Sequence, residues 1–134
     1  MFRPIDERVL VSGQIQPEDV ATAASEGVTM IVNNRPDGEQ AGQPSGAEIE
    51  AAARALGLAY RAIPIRGGIA PEQVAAMMEA LAQNEGKLLA FCAAGTRSTW
   101  LWAFARAEAG DDPEEIIRKA AHAGFDLTPL RAYL

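Results

Sequence analysis

A chain of 134 residues, 49% of them hydrophobic and 22% charged, has the size and composition of one ordinary globular domain, and we expect a single domain over 1–134. The formal net charge of −6 argues against the clustered basic surface that nucleic-acid backbones require. No run approaches the ~18 apolar residues of a membrane span, and the first residues lack the apolar core of a signal peptide, so we expect a cytoplasmic protein that binds neither nucleic acid nor membrane.

Apolar runs of strand length alternate along the chain with segments of helical spacing. The predicted strands cover 9–11, 28–32, 60–65 and 88–91. The predicted helices cover 16–27, 45–57, 71–86, 96–109 and 112–124. Proline, acidic residues or a capping box mark most of the helix starts, as in Ser45 followed by Glu48, and glycine marks most of the ends.

This alternation predicts an α/β fold in which a four- or five-stranded, mostly parallel sheet is flanked by helices on both faces. The run 88–91 is apolar throughout, which is typical of a central strand covered on both sides. Active sites of such sheets lie beyond the carboxyl ends of the strands. The loops that begin at Asn33, Arg66 and Cys92 should therefore meet at one edge of the molecule.

The loop after the last strand is the best candidate for chemistry. Cys92 is the only cysteine and His122 the only histidine, so neither a disulfide nor an ordinary zinc site can form, and we expect no cofactor. A cysteine between a strand and a helix start meets free backbone N–H groups and the positive end of a helix dipole, and both favour the thiolate. We predict that Cys92 is a nucleophile.

The residues after Cys92 complete an anion-binding loop. The predicted cradle is formed by Ala93, Ala94, Gly95 and Thr96. Small side chains leave the backbone N–H groups open, and the glycine can bend the loop inward. Arg97 adds a two-point fork for an oxyanion, and Ser98 is expected to donate a hydrogen bond to the sulfur.

Three residues on neighbouring loops are further candidates for binding an anion. If the second and fourth predicted strands are adjacent, Arg35 and Asp37 lie near Cys92, with Arg35 the better anion contact. The alternative is a simple turn in which Asp37 satisfies backbone groups. Arg66 would reach the mouth of the site or lie free in solvent.

An ordered set of motifs carries a family resemblance over nearly the whole chain. The motifs are Ser12-Gly13-Gln14-Ile15 with Pro17-Glu18-Asp19, Asn33 to Glu39, Gln43-Pro44-Ser45, and Cys92 to Ser98 followed by Leu101-Trp102. With them the sequence resembles the cysteine-dependent phosphatase superfamily, and closely resembles its bacterial branch called the beta-lactamase-hydrolase-like phosphatase domain. The resemblance implies a dual-specificity-phosphatase-like fold, with Cys92 as nucleophile and Arg97 as oxyanion ligand.

Two departures from that pattern concern the chemistry. The superfamily carries His-Cys-x5-Arg, whereas here Phe91 precedes the cysteine and the loop to Arg97 is one residue shorter. The spacing Cys-x-x-Gly-x-Arg-Ser is instead similar to the loop of rhodanese sulfurtransferases, which hold a persulfide. The superfamily's general acid also has no counterpart, because no acid lies between Glu50 and Glu72, and such a loss removes a factor of ~10²–10⁴.

Both departures favour a sulfurtransferase, in which Cys92 takes sulfur from thiosulfate or a persulfide and passes it to a thiol acceptor, because sulfite and thiolates leave without a proton. The main alternative is a tyrosine or dual-specificity phosphatase-like hydrolase, in which a phosphate ester forms a phosphocysteine and Asp37 substitutes for the acid. A binding module that only recognises an anion is the third possibility.

Overall fold

A computed structural model describes residues 1–134 and contains one five-stranded sheet in the order β1-β2-β5-β3-β4. The strands are β1 (Arg3–Pro4), β2 (Val9–Ser12), β3 (Val28–Asn33), β4 (Ala59–Ala62) and β5 (Lys87–Phe91). All neighbouring strands are parallel except β1, which pairs antiparallel with β2. The mostly parallel α/β fold is confirmed, and β5, the last predicted strand, lies at its centre.

Five α-helices connect and follow the strands, close to the predicted bounds. They are α1 (Asp19–Ser25), α2 (Gly46–Ala55), α3 (Pro71–Gln83), α4 (Thr96–Glu108) and α5 (Pro113–His122), followed by a 3₁₀ helix (Thr128–Tyr133). The predicted cap of α2 is present, since the Ser45 hydroxyl accepts the Glu48 N–H at 3.1 Å. None of these helices has the length and apolar character needed to span a membrane.

The sheet separates two apolar cores, one against α3, α4 and α5 and the other against α1 and α2. Successive side chains of β5 point to opposite faces, so Leu88 and Ala90 enter the first core while Leu89 and Phe91 enter the second. All four are fully buried, and burying one large apolar side chain contributes about 1.5–3 kcal/mol. Because both faces of β5 are buried, its register in the sheet is fixed, and so is the position of Cys92, the next residue.

The observed elements differ from the predicted ones near the site. The strand predicted to reach residue 65 ends at Ala62, where the regular register with β3 stops. The chain stays beside β3 nonetheless, as the Ile63 and Ile65 N–H groups donate to the carbonyls of Asn33 and Asn34, both at 2.9 Å. The short β1 and the 3₁₀ helix were not predicted.

Candidate active site

The sulfur of Cys92 lies at the carboxyl edge of the sheet, where β5 gives way to α4. The Cys92 N–H still donates to Ser12 O at 3.3 Å, and the residue is only 1% exposed. Three residues later the Gly95 N–H donates to Sγ at 3.1 Å. The predicted contact between the sulfur and the loop amides is therefore present.

A left-handed glycine makes this contact possible. Gly95 has a φ of 93° and is the N-cap residue of α4, so the chain turns sharply and aims its amide at the sulfur. A Cβ on Gly95 would lie 3.0 Å from the ring of Phe125, which packs against the loop. On the outer side, Ala93 O accepts the Gln14 N–H at 3.2 Å and so ties the loop to the segment after β2.

The four residues of the predicted anion-binding loop differ in how far they are exposed to solvent. Gly95 is buried, whereas Ala93, Ala94 and Thr96 are exposed. Their small side chains leave the approach to the loop open. The residues that follow β5 thus combine a buried nucleophile with an accessible rim.

Arg97 is held in a fixed orientation that leaves one edge of its guanidinium unused. Its Nη1 donates to Glu39 Oε2 and to Ile65 O, both at 2.8 Å, and its Nη2 donates to Glu39 Oε1 at 2.9 Å. A guanidinium has five N–H donors, so the Nε–H and one Nη2–H remain, and these two lie on the same edge. This edge offers the two-point fork that an oxyanion requires.

Glu39 organises the site and was not recognised in the sequence. Besides Arg97, its Oε1 accepts from Arg35 Nε at 3.0 Å, so one carboxylate joins two guanidinium groups. The hydrogen bond from Arg97 is the main reason that the pKa of Glu39 falls from 4.5 to about 2. In return, the hydrogen bond to Glu39 raises the pKa of Arg97 above its ordinary value, and the nearby Cys92 adds to this rise.

Arg35 lies beside this pair. Its side chain is only 7% exposed, and its Nη1 donates to Gln14 Oε1 at 3.1 Å. Neither hydrogen of its Nη2 is used by a protein acceptor. Because no fully buried side-chain nitrogen or oxygen lacks a partner, this Nη2 is at least partly accessible to solvent.

Ser98 does not make the predicted hydrogen bond to the sulfur. Its hydroxyl donates to Asn34 Oδ1 at 2.7 Å, and Asn34 Nδ2 in turn donates to Ile63 O at 2.9 Å. Both side chains are fully buried. Because the single hydroxyl proton is committed to Asn34, the expected contact with Sγ is corrected: Ser98 ties the first turn of α4 to the chain that follows β3 and β4.

The other two candidates make no hydrogen bond to Cys92 or Arg97. Asp37 Oδ1 accepts the Gly46 N–H at 2.8 Å, so this carboxylate satisfies the first turn of α2, which is the turn role considered as its alternative. Arg66 is exposed in the bend that precedes α3. No group of three or more His, Cys, Asp and Glu side chains could hold a metal ion.

We expect Glu39→Gln to lower turnover at this site by ~10–10²-fold without unfolding the chain. Glu39 accepts three hydrogen bonds on two oxygens, whereas the amide has one oxygen and an NH₂ group that only donates. The free edge of Arg97 therefore loses its fixed direction, and a misplacement of about 1 Å can cost this much. Steady-state kinetics with circular dichroism tests it. Glu50→Gln, which removes an exposed carboxylate paired with Arg54, is the matched control, and an equal loss there would contradict a specific role for Glu39.

The same pair predicts how stability depends on pH. Since the pKa of Glu39 is lower in the folded than in the unfolded chain, its contribution is complete above about 4.5 and is lost as the pH falls toward about 2. Glu39→Gln lacks this dependence. Denaturation measured from pH 6 to pH 2 should show the two proteins converging in stability as the pH falls, and a constant difference would contradict it.

Known protein families were compared with this chain, and the segment that matches includes Cys92 and Arg97. Residues 1–109 match the family described as the phosphatase-like domain of beta-lactamase hydrolase-like protein. A beta-lactamase hydrolase-like protein of Xylella fastidiosa is 38% identical over 125 residues, which are 92% of this chain and 29% of that protein. The chain thus spans less than a third of the length of this relative.

Solved structures give the same result for the fold. A candidate phosphatase from Neisseria meningitidis is 33% identical, with a TM-score of 0.85 over 98% of this chain and 94% of that one. A candidate phosphatase from Shewanella putrefaciens is 20% identical, with a TM-score of 0.72 over 98% of this chain and 82% of that one. At the latter identity the likeness concerns the fold alone.

These findings overturn the preference for a sulfurtransferase with thiosulfate or a persulfide as donor and a thiol as acceptor. The matched family and the Neisseria meningitidis structure at 33% identity are phosphatase-like. The preference depended on a loop shorter by one residue, yet the left-handed Gly95 still brings an amide onto Sγ, and Arg97 still presents a free edge. Loop length was therefore a weaker criterion than the set of motifs along the whole chain.

Proposed function

Because the chain belongs to the family of beta-lactamase hydrolase-like, phosphatase-like domains, we propose that it is a cysteine-based phosphatase that hydrolyses small substrates bearing a terminal phosphate. The observation that carries this proposal is the free edge of Arg97 beside a buried sulfur that already accepts an amide hydrogen bond. These two groups are the minimum that phosphoryl transfer to a thiolate requires: a nucleophile and a fixed oxyanion ligand.

In the proposed reaction the Cys92 thiolate attacks phosphorus, and the bond to the leaving oxygen breaks with its electron pair on that oxygen. The Nε and Nη2 donors of Arg97 bind two of the non-bridging oxygens, while loop amides around Gly95 hold the third. Water then attacks the phosphocysteine, which releases inorganic phosphate, returns the thiolate and gives one proton to solvent. The N-terminus of α4 stabilises the anion in both steps.

Other residues support this arrangement in distinct ways. Glu39 fixes Arg97, and Ser98 with Asn34 holds the start of α4 against the sheet. Arg35 and Arg66 are proposed to bind anionic parts of the substrate outside the loop, and Asp37 to stabilise the loop that carries Arg35. The proposed compartment is the cytoplasm, because a single free cysteine that must stay reduced suits a reducing environment.

The test is turnover of p-nitrophenyl phosphate by the purified chain, with rapid acid quenching and intact mass measurement. We expect a saturable release of phosphate and a mass increase of one phosphoryl group, located on Cys92 by peptide mapping. Since the chain has one cysteine, the assignment is unambiguous. A protein that binds phosphate but gives neither turnover nor adduct would instead be an anion-binding module, and the proposal would be rejected.

A further inference from the structure

The loops around the sulfur carry few acids. Four loops leave the carboxyl ends of the parallel strands, over 13–18, 34–45, 63–70 and 92–95. The carboxylic acids among them are Glu18, Asp37 and Glu39. A phosphatase that expels an alkoxide needs a group that gives it a proton.

None of these three acids is hydrogen-bonded to the loop 92–95. Glu18 is exposed at the start of α1, where its side chain makes no capping hydrogen bond. Glu39 is bound by two guanidinium groups, and with a pKa of about 2 it has no proton to donate at neutral pH. Asp37 is bound to the amide that begins α2. Asp126, next to the Phe125 that packs on the loop, accepts from the Thr128 hydroxyl and amide, which hold its pKa below its usual range.

Without a general acid, the reaction is limited to leaving groups that can depart unprotonated. The second pKa of a phosphate monoester is about 6, that of a phenol is about 10, and an alcohol is weaker still, near the value of ~15.7 for water. A phosphate group can therefore leave unprotonated at neutral pH, whereas an alkoxide cannot. This criterion selects substrates in which the terminal phosphate is attached to another phosphate.

Arg35 provides the complementary contact. Its Nε and the Nη2 of Arg97 bind the same oxygen of Glu39, so the two guanidinium groups are adjacent. The unused, solvent-accessible Nη2 of Arg35 is a cationic donor on a side chain that is otherwise more than nine-tenths buried. Two adjacent guanidinium groups, each with free donors, match two adjacent phosphates.

We propose that this site acts on phosphoanhydrides, with the terminal phosphate in the loop of Cys92 and Arg97 and the leaving phosphate on Arg35. This assignment rests on the proposed phosphatase function. The thiolate forms a bond to the terminal phosphorus, and the bridging P–O bond breaks with its electron pair on the departing phosphate, which needs no proton. Water then cleaves the phosphocysteine to inorganic phosphate and the thiolate, and releases one proton.

The first experiment measures kcat/KM for aryl phosphates of one shape and graded leaving-group pKa, together with phosphoserine and inorganic pyrophosphate. We expect a steep fall as the phenol pKa rises, and phosphoserine slower than pyrophosphate by ~10²–10⁴-fold, the contribution of an absent acid. A flat series, or phosphoserine equal to pyrophosphate, would overturn the anhydride proposal and leave the phosphatase intact. Absence of turnover with every compound of this panel would reject the phosphatase itself.

Two variants separate the contributions of the loop residues. Asp37→Asn keeps an oxygen that can accept the Gly46 N–H, so we expect the same slope as in the parent, and a changed slope would make Asp37 the acid and overturn the proposal. Because Arg35 also holds Glu39, Arg35→Lys should lower kcat/KM for both substrates, but for pyrophosphate by about tenfold more than for p-nitrophenyl phosphate, the loss of one charge-assisted hydrogen bond. Arg61→Lys, on β4, is the control, and equal losses on both substrates with Arg35→Lys would count against the second phosphate site.

Discussion

Replacing Cys92 by serine is expected to abolish phosphate release, with a loss of ~10⁴–10⁶-fold in kcat, as found when a covalent nucleophile is removed. A serine hydroxyl remains protonated at neutral pH, and no base lies beside it: the sulfur accepts the Gly95 amide hydrogen bond, and the nearby Arg97 guanidinium can also only donate. The phosphoryl adduct should disappear together with turnover.

The same variant should keep the fold and the anion site. The side chain is buried and the substitution removes little volume, so circular dichroism and the melting temperature should change little. Inorganic phosphate should still raise the melting temperature, because the loop amides and Arg97 remain. Residual turnover within tenfold of the parent protein would mean that another group carries the reaction, and would remove the basis for the proposed function.

Replacing Arg97 by lysine is expected to lower kcat/KM by ~10²–10³-fold, the effect of losing one fixed oxyanion donor. An ammonium group keeps the charge but cannot pair with both oxygens of Glu39 and offer two further donors from one edge. The loss should lie mainly in kcat, since the charge that attracts the substrate is retained.

Arg106→Lys is the matched control for this substitution. Arg106 makes a two-point pair with Asp111, at 2.8 and 3.0 Å, and lies about 13 Å farther along the same helix. The Arg106→Lys variant should lose a comparable ion pair, but its turnover should equal that of the parent protein. If Arg106→Lys and Arg97→Lys reduce activity equally, the effect comes from helix stability and not from binding of the oxyanion.

The architecture and the position of the nucleophile could be predicted because both have local signals. The continuous apolar run of β5 predicted burial on both faces, and the small residues after Cys92 predicted a turn into α4; both elements are confirmed. The cap at Ser45 also follows from three residues of sequence. Each of these features depends on residues that are close in the sequence, so the local sequence pattern is enough to predict it.

The partners of the site residues could not be predicted in this way. Glu39 and Arg97 are 58 residues apart, and no spacing rule relates them. The contact of Ser98 with Asn34 depends on the pairing of β3 with β5, which the sequence analysis could only assume. A signal for Glu39 existed: it is one of three acids on the four loops, and an arginine in a first helical turn opposes the dipole unless an anion is nearby.

The preference for sulfur transfer failed for a related reason. The missing acid was weighed as evidence against a phosphatase, although its absence restricts only the leaving group. Loop length was weighed as a measure of cradle size, although a left-handed residue such as Gly95 can bring its amide inward within fewer residues. A local count of residues does not determine where the donors of a loop point.

The shared carboxylate of Glu39 also determines how an anion reaches this site. Two guanidinium groups, one carboxylate and one thiolate cancel in charge, while the chain as a whole carries −6. At long range the molecule therefore repels its own substrate, and capture depends on contacts made after arrival. Added salt shortens the screening distance from about 10 Å at 0.1 M to about 3 Å at 1 M, so encounter should become faster with ionic strength, opposite to the behaviour of enzymes that attract their substrates through a field of opposite charge.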